Sequence, residues 1–186
     1  MSEVKALFQS KWVTVNEKTL DNGGKYLYMS SDWCKSKGVA ILPYREVVVN
    51  AWGHKELQFL GRYELCPAHS DEIELGAIMG GMDKEGEEPV VTAWRELQEE
   101  AGYKVPIENI VYLGTARPSK ASDNTIYLFG VNVDKGFELV DATGDGTLVE
   151  EGGYSKWVSK SEMVFAKEPL LSVMHMRLQQ TGGKGI

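Results

Sequence analysis

The sequence predicts a mixed α/β domain with helices packed on a sheet. Three observations carry this. Alternating β-type runs fill the first third. A glycine-rich stretch at 76–86 (GAIMGGMDKEG) then leads into helical periodicity at 89–101, and strand runs followed by a last helical stretch come after it. At 186 residues, 42% apolar and 25% charged, the chain suits one such core with a modest extension.

In chain order, Lys11–Val15 and Lys25–Met29 alternate and are separated by Asn22-Gly23-Gly24, a turn signal, so they predict a hairpin. KGVAIL (37–42) and EVVVNA (46–51) are rich in β-branched residues and predict a second hairpin, more buried, turning at Pro43-Tyr44-Arg45. Residues 56–63 predict another strand, and 76–86 a loop. Pro89–Ala101 predicts a helix: Pro89 suits its first turn, Glu87 and Glu88 suit the positive end of its dipole, and Gly102 suits its stop. Strands are expected at 110–113, 125–133 and 154–158. A final helix is expected from Ser161, as its cap, to Gln179, before a flexible tail at 181–186.

The net charge of −7 argues against a nucleic-acid partner, since little counterion release is on offer. A polyanionic substrate would need divalent cations to reverse the local sign. Cys34 and Cys66 form neither a metal-type spacing nor a disulfide framework and read as idle thiols. The N-terminal MSEVKALFQSKWVTV has no signal-peptide pattern, and no run approaches the roughly 20 apolar residues of a membrane span. A cytoplasmic enzyme without a membrane partner is expected.

On a helical wheel at about 100° per residue, Glu96, Glu99 and Glu100 share an arc of about 100°. Val90, Ala93, Trp94, Leu97 and Ala101 form the adjoining apolar stripe. Three like charges so close repel, and a divalent cation removes the conflict. Mg²⁺ seeks oxygen ligands and keeps sites open for water and phosphate. Arg95 is placed at i,i+4 to hold Glu99. For a bare glutamate pair on a helix, a solvated charged face is the ordinary alternative.

The stretch from Gly81, GMDKEGEEPVVTAWRELQEEAGY, reads G-x5-E-x7-R-E-U-x-E-E-x-G-U, where U is a bulky apolar residue, and it resembles the Nudix box in full. Gly81, Glu87, Arg95, Glu96, Glu99, Glu100 and Gly102 match, with Leu97 and Tyr103 at the apolar positions. The resemblance implies an α/β/α sandwich around a mixed sheet: an N-terminal β extension over 1–36, a Nudix hydrolase domain over 37–180, and the tail. It implies hydrolysis of a pyrophosphate linkage in a nucleotide-type substrate. Glu96, Glu99 and Glu100 are then metal ligands with the Gly80 carbonyl, Glu99, Glu100 and Arg95 also belong to the catalytic set, and Arg95 and Glu87 act as supports. Gly81 and Gly102 supply turn geometry. Mg²⁺ is the expected cofactor, with Mn²⁺ as a substitute. The proton of the attacking water goes to a box acid or to an acid on a later loop, where Glu151 is favoured over Glu150.

The chain also resembles the ADP-ribose pyrophosphatase branch. The signs are the extension KWVTVNEKTLDNGGKYLYM, Pro118 fifteen residues beyond Tyr103, and ARPSKASDNTIYLFGVNV, similar to that branch's S-P-G-x-x-x-E-x-I-x-L-F. It departs at Ser119 for glycine, at Asp123-Asn124 for glutamate, and at IMGG for LPAG. Nucleotide sugars, dinucleoside polyphosphates, NADH, FAD, (deoxy)nucleoside triphosphates and RNA 5′ ends stay open as substrates. A non-catalytic nucleotide sensor is the rival class, against which the complete acid set counts. The extension implies a homodimer. Arg62 and Arg45 are candidates to bind substrate phosphate, while Tyr44, Trp52 and Tyr63 suit packing better than base stacking.

Overall fold

The computed structural model describes residues 3–144 and 152–182. In chain order the strands and helices are β1 (Val4–Gln9), β2 (Thr14–Thr19), β3 (Lys25–Ser30), β4 (Lys37–Val48), β5 (Lys55–Leu65), β6 (Ile73–Gly76), β7 (Ile78–Gly81), α1 (Pro89–Ala101), β8 (Tyr103–Lys104), β9 (Ile110–Ala116), β10 (Thr125–Asn132), β11 (Glu138–Leu139), β12 (Tyr154–Ser159), α2 (Lys160–Val164) and α3 (Pro169–Thr181).

The main sheet runs β12-β5-β4-β10-β9, with β6 paired to β5 and β7 to β4. It is mixed: β10 runs parallel to β4, and the other pairs are antiparallel. Helices cover both faces. Val39 and Ile41 point to the side where Ala93 and Leu97 of α1 pack. Ala40 and Leu42 point to the side of Met163, Leu171, Met174 and Leu178 from α2 and α3. The two-residue alternation of β4 thus divides a continuous apolar run between two cores, as a central strand requires. The architecture is the expected α/β/α sandwich.

β1, β2 and β3 form a separate antiparallel sheet. The β2–β3 hairpin turns at the glycines as expected, and β1 adds a strand the sequence pattern did not reveal. This small sheet is fastened to the loop before β10. The Met29 N–H donates to the Ala121 carbonyl at 2.8 Å, the Asp123 N–H to the Met29 carbonyl at 3.1 Å, and the Ser30 hydroxyl to Asp123 at 2.8 Å.

The expected hairpin turn at 43–45 is corrected: β4 passes straight through it. Parallel pairing with β10 holds the strand from Lys37 to Tyr44. On the other edge, β7 pairs with 38–41 and β5 with 44–48, so Pro43, which has no N–H to donate, falls in the gap between them. The glycine-rich 76–86 segment is likewise no simple loop, since β7 occupies 78–81.

The single final helix is also corrected, to two. α2 starts from Ser159, not Ser161, through a capping box with Glu162. Pro169 then restarts the chain as α3: the residue before a proline is pushed to extended geometry, and Glu168 there accepts from the N–H groups of Leu170 (2.7 Å) and Leu171 (3.1 Å). Among the described residues no helix is long and apolar enough to cross a membrane.

Candidate active site

α1 begins and ends where its sequence dictates. Pro89 occupies the first turn, and Gly102 closes the helix in the left-handed region at φ 70°, its N–H returning to the Gln98 carbonyl at 3.0 Å. The last-turn carbonyls, which lack partners inside the helix, are taken up by the rest of the fold. Glu99 accepts from the Gly144 N–H at 2.9 Å. Glu100 accepts from the Arg62 guanidinium at 3.1 Å and from the Ser155 hydroxyl at 3.0 Å. The end of α1 is thereby fixed to β5 and β12.

This anchoring presses the acidic edge of α1 into the protein. Glu96 and Glu100 are only 9% and 6% exposed, so they do not form a solvated face. Glu96 lies on β7: a Cβ at Gly80 would come within 2.2 Å of the Glu96 carboxyl group. Arg95 holds the charges apart. Its guanidinium is 2.8 Å from Glu99, 3.0 Å from Glu96, 3.6 Å from Glu87 and 3.8 Å from Asp83. Glu87 is held in turn by the Thr92 hydroxyl at 2.7 Å. Burial opposes the charge on Arg95, but Glu96, Glu99 and Glu87 outweigh it and raise its pKa above the ordinary arginine value.

These residues border a cavity of ≈420 Å³. Gly80, Gly81, Asp83, Arg95, Glu96, Glu99 and Glu100 line it from the box side. Ser31, Trp33, Cys34, Lys37 and Asn124 line it from elsewhere in the chain. Sequence reading missed this second group, because no motif carries it and only the pairing of β4 with β7 and β10 brings it there. Gly81 is needed for a reason other than turn geometry. It sits in β7, and a Cβ there would overlap the Trp33 indole. Burial pushes the Cys34 thiol above its ordinary pKa, so it is a neutral wall of the cavity.

The cavity is lined by three carboxylates, Glu96, Glu99 and Glu100, whose oxygens are the donor type that a hard divalent cation takes. Among the described residues no three acidic, histidine or cysteine side chains close around one point. Glu96, Glu99 and Glu100 thus supply oxygen donors along one wall rather than a closed cage.

Arg45 and Arg62 do not line this cavity. Arg45 stacks on the Trp157 ring at 4.2 Å and donates to the Gln58 side chain at 2.8 and 3.1 Å. Arg62 is buried under the end of α1, with its Nε 3.6 Å from Glu64. Glu150 and Glu151 lie outside the described residues.

The sequence matches the NUDIX domain family over residues 54–175. No curated protein matches it significantly. Among solved structures, an ADP compounds hydrolase superposes with a TM-score of 0.65 at 17% identity, covering 97% of this chain and 94% of that one. The NUDIX domain of Shewanella oneidensis NrtR, solved with ADP ribose, gives 0.54 at 12% identity, covering 78% and 87%. A NUDIX hydrolase from Nitrosomonas europaea gives 0.52 at 18% identity, covering 80% and 90%. At these identities the likenesses concern the fold.

Proposed function

The chain belongs to the NUDIX domain family and is a pyrophosphohydrolase of that type, and from that premise we propose that it cleaves the diphosphate of a nucleoside diphosphate joined to another group, ADP-ribose or a nucleotide sugar first. One observation carries the reading: Glu96, Glu99 and Glu100 stand with the Gly80 backbone at a cavity of ≈420 Å³, large enough for the reacting part of such a molecule. The fold shared with an ADP compounds hydrolase and with a domain solved on ADP ribose supports the substrate class. Dinucleoside polyphosphates, NADH, FAD, nucleoside triphosphates and RNA 5′ ends are the alternatives for one substrate panel.

In this proposal Glu96, Glu99, Glu100 and the Gly80 carbonyl hold Mg²⁺, or Mn²⁺ in its place. When bound, the cation neutralises diphosphate charge and stabilises the leaving oxygen. Arg95 and Glu87 keep the acids oriented, which limits reorganisation during the reaction. A glutamate takes the proton of the attacking water, either a box acid or Glu151, and the bridging P–O bond breaks to leave two phosphate-terminated products. The extension at 1–36 serves a homodimer, a reading supported by exposed Val4, Leu7, Phe8, Leu27 and Met29 on its sheet.

The test is Glu100→Gln. Mg²⁺-dependent release of phosphate products should fall by about two orders of magnitude or more with the fold intact. A loss of less than about tenfold would remove Glu100 from the metal-binding set.

A further inference from the structure

Polar groups from outside the box also line the cavity wall, and the Lys37 ammonium among them has no ion pair with any described residue. Lys37 opens β4 and pairs with Thr125 in the parallel ladder, so Asn124 stands at the same end of the neighbouring strand. Next along β4, Gly38 pairs with Gly81 of β7, whose neighbour Gly80 carries the Glu96 carboxyl. Asn124, Lys37 and the acids of α1 therefore follow one another across adjacent elements around a single cavity.

The charges on that cavity are unequal. Asp83, Glu96, Glu99 and Glu100 face two cations, Arg95 and Lys37. Arg95 is committed to carboxylates at 2.8 to 3.8 Å. The ammonium of Lys37 forms no ion pair with any described residue, although Lys35, two positions earlier, is paired with Glu85 at 3.2 Å. An ammonium without an ion pair on a cavity wall is the complement of a phosphate-bearing ligand.

We propose that Lys37 anchors the substrate by pairing with one phosphate of the bound diphosphate. This rests on reading the cavity as the diphosphate site. It places binding on the β4 wall and leaves the chemistry to α1. Lys37 is exposed, so its replacement should not affect folding.

The experiment compares wild type, Lys37→Met, Lys37→Arg and the control Lys35→Met, which removes the same charge from outside the cavity lining. Calorimetry with α,β-methylene ADP-ribose, a non-cleavable diphosphate, is run with Mg²⁺ present. Lys37→Met should weaken binding about tenfold, the scale of one charged hydrogen bond, and Lys37→Arg and Lys35→Met should stay within about threefold of wild type. On a hydrolysed substrate, Lys37→Met should raise KM about tenfold and change kcat less than about threefold. Binding by Lys37→Met within about twofold of wild type, or a fall in kcat with unchanged binding, overturns the anchor role while the hydrolase reading stands. If wild type binds the analogue but cleaves no panel diphosphate, the anchor role stands on the binding difference and the hydrolase reading fails. A wild type that does not bind the analogue overturns the anchor role.

Discussion

Glu96 rests on Gly80 so closely that a methyl group added to Gly80 would lie only 2.2 Å from its carboxyl carbon. The contact is between a backbone and the far end of a flexible side chain. Gly80→Ala should therefore cost little stability, under about 1 kcal/mol, because Glu96 can swing aside. It should cost much activity, about a hundredfold, because a misplaced ligand by an ångström is already expensive. Parallel thermal melts and Mg²⁺-dependent rates check this; an active Gly80→Ala would show that the position of Glu96 does not matter.

Arg95 separates four carboxylates, so its removal should hurt folding as well as turnover. Arg95→Met removes the guanidinium that lies 3.0 Å from Glu96 and 3.6 Å from Glu87. The expected cost is about 1–3 kcal/mol in denaturant unfolding. Raising Mg²⁺ should restore part of that stability, since a ligand bound to the folded state stabilises it. Equal stability of the two proteins would refute the role.

Arg62 offers a choice between substrate contact and support. Its guanidinium donates to the carbonyl of Glu100 from a buried position, beside the Ser155 hydroxyl. Arg62→Met should lower kcat about tenfold or more with KM little changed, and Ser155→Ala should do the same more weakly. A rise in KM alone would return Arg62 to the phosphate.

His175 should shape the acid limb of stability. It is buried edge-on against Phe59, with ring centroids 5.1 Å apart, and its Nε2 has no hydrogen bond among the described residues. Burial first, and Lys160 second, hold its pKa below the ordinary histidine value. The unfolded chain therefore takes up a proton near pH 6.5 that the folded chain still refuses. Stability is present in full above that pH and is lost as pH falls toward the lower, folded pKa. His175→Leu should show a shallower fall in Tm between about pH 7 and 5. Parallel curves for the two proteins would exclude the histidine as a cause.

The apolar sheet of β1, β2 and β3 should mediate self-association. Light scattering is expected to give a dimer for wild type and a monomer for Phe8→Glu with Leu27→Glu, both exposed positions of that sheet. A monomeric wild type at micromolar concentration would refute this.

The parts of the site that were legible in the sequence are local. Pro89 and Gly102 bracket α1 at its observed bounds, and the i,i+4 spacing of Arg95 and Glu99 becomes a 2.8 Å ion pair. The parts that were not legible depend on distant pairing. Pro43-Tyr44-Arg45 carries turn-like chemistry, yet β10, from about ninety residues later, holds Pro43 and Tyr44 extended, and β5 holds Arg45. Lys37, Trp33 and Asn124 acquire meaning only once β4 lies between β7 and β10. No periodicity within a short window encodes that arrangement.

β4 has a consequence for inheritance. The stretch that matches the family starts at residue 54, but the strand between β5 and β10 occupies 37–48. A gene fragment trimmed to the recognisable stretch would encode a sheet without its middle plank, and the cavity would lose Lys37 with it. The portion of this protein that can be transplanted as a working unit is larger than the portion whose ancestry can be read.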